Sequence, residues 1–422
     1  MSENAYTWTP DKLVRYPLIA DLDLSPDGER IVYAVREPVL TDEESKFITH
    51  LYIVAVSGGQ PLRLTYGQSS NITPRWSPDG QHIAFISTRN GDKPNLYVMN
   101  AAGGEAWPLT KSEKGIQSFS WSPDGARLAI KMVAPDSDDK KKAKKAQDDT
   151  LHWGVDYERA QLWVLPFIPG DQPMPQPRAL TVADRHVATF DWTPAGDALA
   201  YTYQPTPVDD DWPQTRLAVV TAGEGASQSR EIAHVAAMNP TIMIHREWIA
   251  CMTGDRPPSW VNGFNMTLYP LAGGEPVKLA ATPDSQPFGV GWSPDGGMVY
   301  AVEFSGVSSA ILALPIDGGA PQVLAAGQGF FSLVKVNRRG RMAFVAQDLE
   351  QPNRLCVMDA AVGVVREVAQ PALPADWPAD QLPQGQVIRW QGDGGLEIEG
   401  ILALPRDYQP GRRYPTLVIV HG

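Results

Sequence analysis

Residues 76–87 read WSPDGQHIAFIS, and this stretch decides the fold because close copies of it recur along the chain. The tetrapeptide SPDG occupies residues 25–28, 77–80, 122–125 and 293–296, and degenerate copies occupy residues 193–196 (TPAG) and 337–340 (NRRG). In such a turn, proline presets φ, aspartate caps the backbone with its side chain, and glycine accepts a positive φ. Because short apolar strands such as HIAFIS follow the turns, each copy predicts a tight hairpin between two strands.

A second hairpin repeat lies out of phase with the first. At residues 95–110 it reads NLYVMNAAGGEAWPLT, which is a strand, a Gly-rich turn and a return strand. Seven copies occur at spacings of 44 to 66 residues, and their second residues are Leu51, Leu96, Leu162, Leu217, Met266, Ile311 and Leu355. Two hairpins per period give four strands, and a four-stranded unit of about 45 residues has the length of a β-propeller blade.

The two repeats together predict an all-β fold, a seven-bladed β-propeller over residues 21–370 that follows an N-terminal segment of residues 1–20. The fifth blade lacks an SPDG turn, but TIMIHREWIACMTG at residues 241–254 supplies the two strands. A β-sandwich could use the same strands, yet it gives no reason for a sevenfold period.

The character of the chain changes after residue 370. Residues 371–384 are rich in proline and predict a linker, and residues 385–404 predict a strand, a Gly-rich turn and a second strand. The stretch PTLVIVHG, residues 415–422, is typical of a buried parallel strand that leads into a loop. Three strands are too few to bury a core alone. Residues 385–422 are therefore expected to be the first strands of an incomplete second domain.

Composition excludes several classes of protein. The chain has 36 basic and 48 acidic residues and a net charge of −12, which disfavours nucleic acid and anionic membrane surfaces as partners. Cys251 and Cys356 lie in apolar stretches and predict buried free thiols. No signal-peptide core and no apolar run of about 18 residues occurs, so a soluble cytoplasmic protein is expected. No Cys–His cluster or Walker motif is found, and neither a metal nor another cofactor is expected.

A lysine-rich segment, DSDDKKKAKKAQDD at residues 136–149, interrupts the repeats. It has no apolar periodicity, which predicts a solvated insertion between two strands of one blade. The alternative is a docking segment for an acidic partner. Acidic residues flank the lysines on both sides and favour the solvated insertion.

On these residues the chain resembles the N-terminal part of a serine peptidase of the prolyl oligopeptidase family, in the acylaminoacyl-peptidase branch. Four features carry the resemblance: LIADLDLSPDGERIVYAV at residues 18–35, the WSPDG repeats with their Gly-rich hairpins, DGGLEIEGILALP at residues 393–405, and YPTLVIVHG at residues 414–422. The resemblance implies that the propeller covers an α/β-hydrolase domain, of which residues 385–422 are the truncated start.

The resemblance also implies a catalytic triad of Ser, Asp and His in the hydrolase domain, with the serine on a G-x-S-x-G turn. The 422 residues contain no G-x-S-x-G, so the triad is expected beyond them and the chain alone is expected to be inactive. His421 and Gly422 would begin the loop that offers a backbone N–H to the oxyanion.

Related dipeptidyl peptidases hold the substrate's free amine with propeller glutamates, which makes Glu158 and Arg159 candidate substrate-binding residues. The doubled glutamate of that branch is absent, and an ordinary ion pair is the alternative for these two residues.

The resemblance implies the gating portion of a serine exopeptidase or oligopeptidase that hydrolyses short or N-acylated peptides through an acyl-enzyme. The propeller would admit short peptides and exclude folded proteins. Two alternatives stay open: a stand-alone propeller that serves as an interaction scaffold, as in the bacterial Tol system, and an esterase-type hydrolase of the same architecture. A homo-oligomeric assembly is also left open.

Overall fold

The computed structural model describes residues 9–91, 93–148, 150–152, 154–170, 174–255, 257–259, 263–327, 329–378 and 382–420. In these residues the chain forms seven four-stranded antiparallel sheets and one two-stranded hairpin. Each four-stranded sheet is an up-and-down meander of consecutive strands, and the seven sheets are the blades of a propeller. The predicted all-β fold with seven blades is confirmed.

The first four blades lie between Leu18 and His234. Blade 1 consists of β1 (Leu18–Leu24), β2 (Arg30–Leu40), β3 (Ser45–Ala55) and β4 (Leu62–Arg63). Blade 2 consists of β5 (Asn71–Trp76), β6 (His82–Ser87), β7 (Asn95–Asn100) and β8 (Trp107–Pro108). Blade 3 consists of β9 (Ser118–Trp121), β10 (Arg127–Val133), β11 (Ala160–Pro166) and β12 (Arg178–Ala179). Blade 4 consists of β13 (His186–Trp192), β14 (Ala198–Gln204), β15 (Arg216–Thr221) and β16 (Ser229–His234).

The remaining three blades and a final hairpin follow. Blade 5 consists of β17 (Ile242–His245), β18 (Trp248–Gly254), β19 (Phe264–Pro270) and β20 (Val277–Lys278). Blade 6 consists of β21 (Phe288–Trp292), β22 (Met298–Ser305), β23 (Ser308–Pro315) and β24 (Gln322–Ala326). Blade 7 consists of β25 (Phe330–Val336), β26 (Arg341–Gln347), β27 (Arg354–Asp359) and β28 (Arg366–Ala369). The hairpin pairs β29 (Gln384–Gln391) with β30 (Glu397–Leu404). The described residues also form two α-helices, α1 (Pro10–Val14) and α2 (Asp138–Lys145), and short 3-10 helices at Asp209–Gln214 and Asp393–Gly395.

The SPDG turns join the first two strands of a blade by a fixed set of hydrogen bonds. The Ser25 hydroxyl accepts the Arg30 N–H at 2.9 Å and donates to the Asp27 carboxylate at 2.5 Å. The same serine-to-strand bond recurs at 2.9 Å in the turns that begin at Ser77, Ser122 and Ser293. The turn glycines have φ of 69° to 78°, a region that residues with a Cβ adopt only at a cost.

Successive turns also pack on one another around the ring. A Cβ at Gly125 would lie 3.4 Å from Pro78, and one at Gly196 would lie 3.4 Å from Pro123. The proline of one blade therefore covers the glycine of the next. Topology places all these turns on one face of the propeller, which we call the turn face. The loops between second and third strands lie on the opposite face, which we call the hairpin face.

The ring closes between blades 1 and 7 through side-chain contacts, and the two blades share no strand. Blade 1 uses only residues 18–63 and blade 7 only residues 330–369. Across this seam Asn353 Oδ1 accepts the buried Ile19 N–H at 2.9 Å, and Arg341 donates to the Gly28 carbonyl at 2.8 Å. Apolar residues of the two blades, among them Leu22 and Val345, form a single buried cluster behind these bonds.

Three features differ from the sequence-based expectations. The first blade begins at Leu18 and not at Asp21. The lysine-rich insertion contains a helix, α2, where no regular structure was predicted. Among residues 382–420, the apolar stretch 417–420 forms no strand, and its side chains are 78% to 86% exposed. Buried free thiols at Cys251 and Cys356 are confirmed. That residues 385–422 begin a hydrolase domain stays a prediction.

The seam yields a stability prediction. We expect Asn353→Ala to lower the free energy of unfolding by about 1–3 kcal/mol, because the buried Ile19 N–H is left without an acceptor. The control is Asn100→Ala, whose Oδ1 accepts the exposed Ala102 N–H inside one turn and whose loss should cost less than about 0.5 kcal/mol. Urea unfolding of both variants measures the difference. Equal losses would show that ring closure does not depend on Asn353.

Candidate functional site: the axial channel and the hairpin face

The first strand of every blade lines the propeller axis, and the next-to-last residue of that strand occupies an equivalent position in all seven blades. These residues are Asp23, Arg75, Ser120, Asp191, Ile244, Gly291 and Lys335. We call this set the axial ring. Its members differ in charge and size, although the last residue of the strand is a buried tryptophan in four blades.

A cavity of about 1080 Å³ reaches the axial ring from the turn face. Six ring residues line it, and Lys335 is the seventh member of the same level of the ring. Its walls also carry four indoles: Trp76, Trp121, Trp192 and Trp292. Two of these indoles bridge neighbouring blades, since Trp121 Nε1 donates to the Arg75 carbonyl at 3.3 Å and Trp192 Nε1 donates to the Ser120 carbonyl at 3.2 Å.

The charges of the axial ring are only partly paired. Arg75 forms an ion pair with Asp21 at 3.0 Å. Asp23 accepts the Trp76 N–H at 2.8 Å, and Asp191 accepts the Trp192 N–H at 2.9 Å. No ion pair within 4.0 Å joins Asp23, Asp191 or Lys335 to an opposite charge among the described residues, but Lys335 interacts electrostatically with both aspartates at longer range. The ring thus holds charges of both signs at the level where the channel is walled by protein.

Burial shifts the titration of these groups. Burial raises the pKa of Asp191 to about 6, against the hydrogen bonds from the backbone of Trp192 and Ile244 that lower it. Burial also raises the pKa of Asp23. The Arg75 guanidinium, followed by burial, lowers the pKa of Lys335, and the neighbouring aspartates oppose that shift. The raised pKa values of the two aspartates reflect the cost of holding a charge away from bulk water, and the lowered pKa of Lys335 reflects first its repulsion from Arg75.

The C-terminal hairpin lies on the hairpin face, against blades 6 and 7. The Glu399 carboxylate accepts the Val307 N–H at 3.3 Å and pairs with Arg389. Gly385 approaches Leu349 so closely that an added Cβ would clash with it. A cleft of about 360 Å³ remains between hairpin and propeller, with Phe330 and Ile401 in its lining.

The other face of this hairpin is apolar and points away from the propeller. Ile388, Trp390 and Ile398 lie on that face, by the alternation of side chains along paired strands. They are 37%, 46% and 39% exposed. A contiguous exposed apolar face of this kind usually marks an interaction surface.

Three partly exposed phenylalanines also lie on the hairpin face, near the channel mouth. Phe288 and Phe330 begin the inner strands of blades 6 and 7, and Phe304 stands near the end of β22. Ring centroids are 6.0 Å apart for Phe288 and Phe304, and 5.9 Å apart for Phe304 and Phe330. Sequence analysis missed this cluster and the axial ring, although aligning the blades on their turns would have exposed the ring.

The candidate residues Glu158 and Arg159 lie on the hairpin face as well, at the end of the lysine-rich insertion. Glu158 pairs with Lys114 at 2.5 Å and with Lys140 of helix α2 at 3.1 Å. Arg159 donates to the Pro205 carbonyl at 2.7 Å and lies over the Tyr157 ring. Both side chains therefore have protein partners.

Asp136 anchors the same insertion. It accepts hydrogen bonds from Lys114 at 2.9 Å and from Lys144 at 2.6 Å, and these lysines hold the pKa of Asp136 well below its usual range. The lysine-rich composition predicted a solvated segment, but some of these lysines form ion pairs that hold α2 against blade 3. Such pairs contribute little singly, but a network around one partly buried carboxylate contributes more.

Two further sequence predictions concern the ends and the ligands of the site. His421 and Gly422 lie outside the described residues. In the described part of the chain, no group of three His, Cys, Asp or Glu side chains is arranged to bind a metal ion. The described helices include none that is long and apolar enough to cross a membrane.

Comparison with known proteins places this geometry in context. Residues 21–151 match the TolB beta propeller domain family. An 84-residue stretch is 34% identical to a dipeptidyl-peptidase 5 of Porphyromonas endodontalis, covering 20% of this chain and 12% of that protein. The match is thus confined to a short part of a much longer relative.

Solved structures extend the similarity of fold to nearly the whole chain. The acylaminoacyl peptidase of Pyrococcus horikoshii superimposes with a TM-score of 0.70 at 15% identity, over 94% of this chain and 59% of that one. The β-propeller domain of the Trilobed protease from Pyrococcus furiosus superimposes with a TM-score of 0.61 at 14% identity, over 86% of this chain and 98% of that domain. This chain spans about three fifths of the acylaminoacyl peptidase.

The raised pKa of Asp191 predicts how stability varies with pH. Between pH 3.8 and about 6 the folded state binds more protons than the unfolded state, so stability falls as pH rises through that window. We expect Asp191→Asn to remove this loss and to stabilise the protein at pH 7.5 by on the order of 1–2 kcal/mol, with the gain shrinking towards pH 4.

Urea unfolding at pH 4.5, 6 and 7.5 measures this gain, and the exposed Asp210→Asn is the control. A gain that is the same at all three pH values, or a control that behaves alike, contradicts the assignment of the shift to Asp191.

Proposed function

We propose that this chain, which has the propeller fold of peptidases of the prolyl oligopeptidase and acylaminoacyl peptidase type, is the gating portion of a serine exopeptidase or oligopeptidase. The substrates would be short or N-acylated peptides. The observation that carries the proposal is the C-terminal hairpin. One face of it is docked on blades 6 and 7, and its other face presents Ile388, Trp390 and Ile398 to solvent.

The uncovered face of the hairpin supports a second domain over the hairpin face of the propeller. Burying apolar surface contributes about 25 cal/mol per Å², so three large exposed side chains favour a covering partner. A domain in that position would enclose the channel mouth, the cleft beside Phe330 and the phenylalanine cluster. Such an enclosed space admits a short extended peptide and keeps a folded protein out.

The chemistry proposed for that second domain is acyl transfer to a serine. A histidine takes the serine's proton as the serine attacks the scissile carbonyl, and an aspartate orients the histidine. We propose that all three residues lie outside these 422 residues, since no G-x-S-x-G occurs in them. His421 and Gly422 would then begin the loop that presents a backbone N–H to the oxyanion.

Glu158 and Arg159 remain candidate substrate-binding residues in this proposal, but their present contacts argue against that role. Both are on the face that the second domain would cover, but their present partners are lysines, a carbonyl and a tyrosine ring. A substrate amine would have to displace Lys114 or Lys140 from Glu158 to bind there. A cytoplasmic location and a homo-oligomeric state stay predictions from the sequence.

Activity-based labelling tests where the nucleophile lies. We expect the natural polypeptide that contains this sequence, with its following residues, to react with a fluorophosphonate and to hydrolyse acylated di- and tripeptide substrates. The 422-residue chain by itself should do neither. Stoichiometric labelling of the 422-residue chain would overturn the placement of the serine. A longer polypeptide that neither labels nor hydrolyses peptides would contradict the peptidase assignment.

The hairpin interface gives a second, independent test. In the 422-residue chain, Trp390→Ser should change the free energy of unfolding by less than about 0.5 kcal/mol, because the side chain is half-exposed. In the longer polypeptide the same change should cost about 2–4 kcal/mol, because a covered tryptophan loses its packing. The exposed Val323→Ser, on the outer strand of blade 6, is the control in both proteins. An equal and small effect of Trp390→Ser in both would show that nothing covers the hairpin.

A further inference from the structure

A second cavity, of about 580 Å³, lies at the seam of the propeller, and we call it the seam pocket. Its lining comes from the segment before β1, from strands β2 and β3 of blade 1, and from residues 370–374, where the proline-rich linker begins. It shares no described lining residue with the cavity of the axial channel. The proposed gating function leaves this pocket without a role.

A buried hydroxyl without a partner reaches the seam pocket. Tyr33 lines the pocket and is 2% exposed, yet its hydroxyl has no hydrogen-bond partner in the part of the chain that the structure describes. Burial raises the pKa of Tyr33, so the hydroxyl keeps its proton at neutral pH and remains a donor. An unpaired hydroxyl in a buried position is costly, and a ligand that accepts its hydrogen bond removes that cost.

The neighbours of Tyr33 supply an aromatic surface and one acidic group. Tyr52 is paired with Tyr33 across β2 and β3, and the centroids of their stacked rings are 5.7 Å apart. The Tyr52 hydroxyl donates to Glu37 at 2.6 Å. The ion pair of Glu37 with Arg63 is long, at 3.9 Å, so this partly exposed carboxylate can accept a further cationic group.

These features together favour a polyproline II segment that carries a basic residue. Proline rings pack on aromatic faces, and the carbonyls of such a segment need donors, while its prolines bring no N–H groups to bury. An anionic ligand is disfavoured because Glu37 lines the pocket. The linker already packs in this way, since Pro371 and Pro374 lie in the pocket wall within a stretch that is neither helix nor strand.

The geometry of β2 sets the position of the basic residue in the ligand. Tyr33, Val35 and Glu37 all line the pocket, as expected for alternate residues on one side of a strand. A strand rises about 3.3 Å per residue and a polyproline II helix about 3.1 Å, so the four steps from Tyr33 to Glu37 match about four residues of ligand. A ligand that runs along β2 therefore covers Tyr33 with a proline and reaches Glu37 with an arginine or lysine about four positions away.

We propose that the seam pocket is a docking site for a proline-rich segment of a partner protein, which binds in the polyproline II conformation. A carbonyl of the segment accepts the Tyr33 hydroxyl, and a basic side chain pairs with Glu37. The net charge of −12 also favours a basic ligand. The site lies outside the axial channel, and it does not depend on the peptidase assignment.

Peptide titration on the 422-residue chain tests the ligand class. The probe is a peptide of four prolines followed by arginine, acetylated and amidated so that neither end is charged. We expect saturable binding to one site by calorimetry at pH 7.5 and low salt. Four alanines followed by arginine lack the rings, and four prolines followed by glutamate are repelled by Glu37. Both should bind at least about tenfold more weakly.

Variants of the pocket test the placement. Tyr33→Phe removes the unpartnered hydroxyl and keeps the ring, so it should weaken binding of the probe about three- to tenfold with no loss of thermal stability. The matched control is Tyr300→Phe, in the second strand of blade 6, which should bind the probe as the parent does. Glu37→Gln should abolish the preference for arginine over glutamate, and thermal melts check that each variant is folded.

Several results would overturn the proposal. They are a probe that does not bind saturably, an alanine peptide that binds as tightly, equal affinity of Tyr33→Phe and Tyr300→Phe, and a preference for arginine that survives in Glu37→Gln. Equal affinity of the two tyrosine variants would place the bound peptide elsewhere, such as in the axial channel. Sedimentation of the unliganded chain addresses the other occupant: a dimer that Tyr33→Phe disrupts would assign the pocket to a second copy of this chain and not to a partner protein.

Discussion

Packing between successive SPDG turns is the interaction on which the rest of this propeller depends. In four pairs of neighbouring blades the turn proline of one blade covers the turn glycine of the next, and the tryptophans before two of the turns donate across to the previous blade. These contacts fix the rotation from one blade to the next. They also bring seven equivalent backbone positions to one level of the axis, so that the residues found there define the channel. The hairpin face inherits its geometry from the same rotation.

Much of this fold could be predicted from sequence because its determinants are local. The residue types of a turn such as Ser77–Gly80 determine its backbone conformation. The Gly-rich hairpins repeat often enough that seven blades can be counted from the sequence. What the sequence could not show depends on distant partners. Helix α2 is fastened to the blade through Lys114, which stands well before it in the chain, and β1 begins early because Ile19 binds Asn353 at the far end of the propeller.

The candidate site was predicted less well for the same reason. Glu158 and Arg159 were predicted from their residue types. In the structure Glu158 forms ion pairs with lysines, and Arg159 donates to a backbone carbonyl. Lys335 interacts electrostatically with Asp23 and Asp191, and the three residues come near each other only when the ring closes. In the sequence they are more than one hundred residues apart, and no local pattern joins them. The position of each residue within its blade determines whether it lies in the axial ring. The blades must therefore be aligned with one another before the ring residues can be identified from the sequence.

Closure by side chains has a mechanical consequence. Both ends of the propeller's chain meet at one seam, where blades 1 and 7 share hydrogen bonds and an apolar cluster but no strand. A force applied to the two termini acts directly across that seam, while every other pair of neighbouring blades is also linked by continuous backbone. Under tension, blades 1 and 7 should therefore separate at the seam first. The blades should still be folded at that point, before any strand is pulled from its sheet.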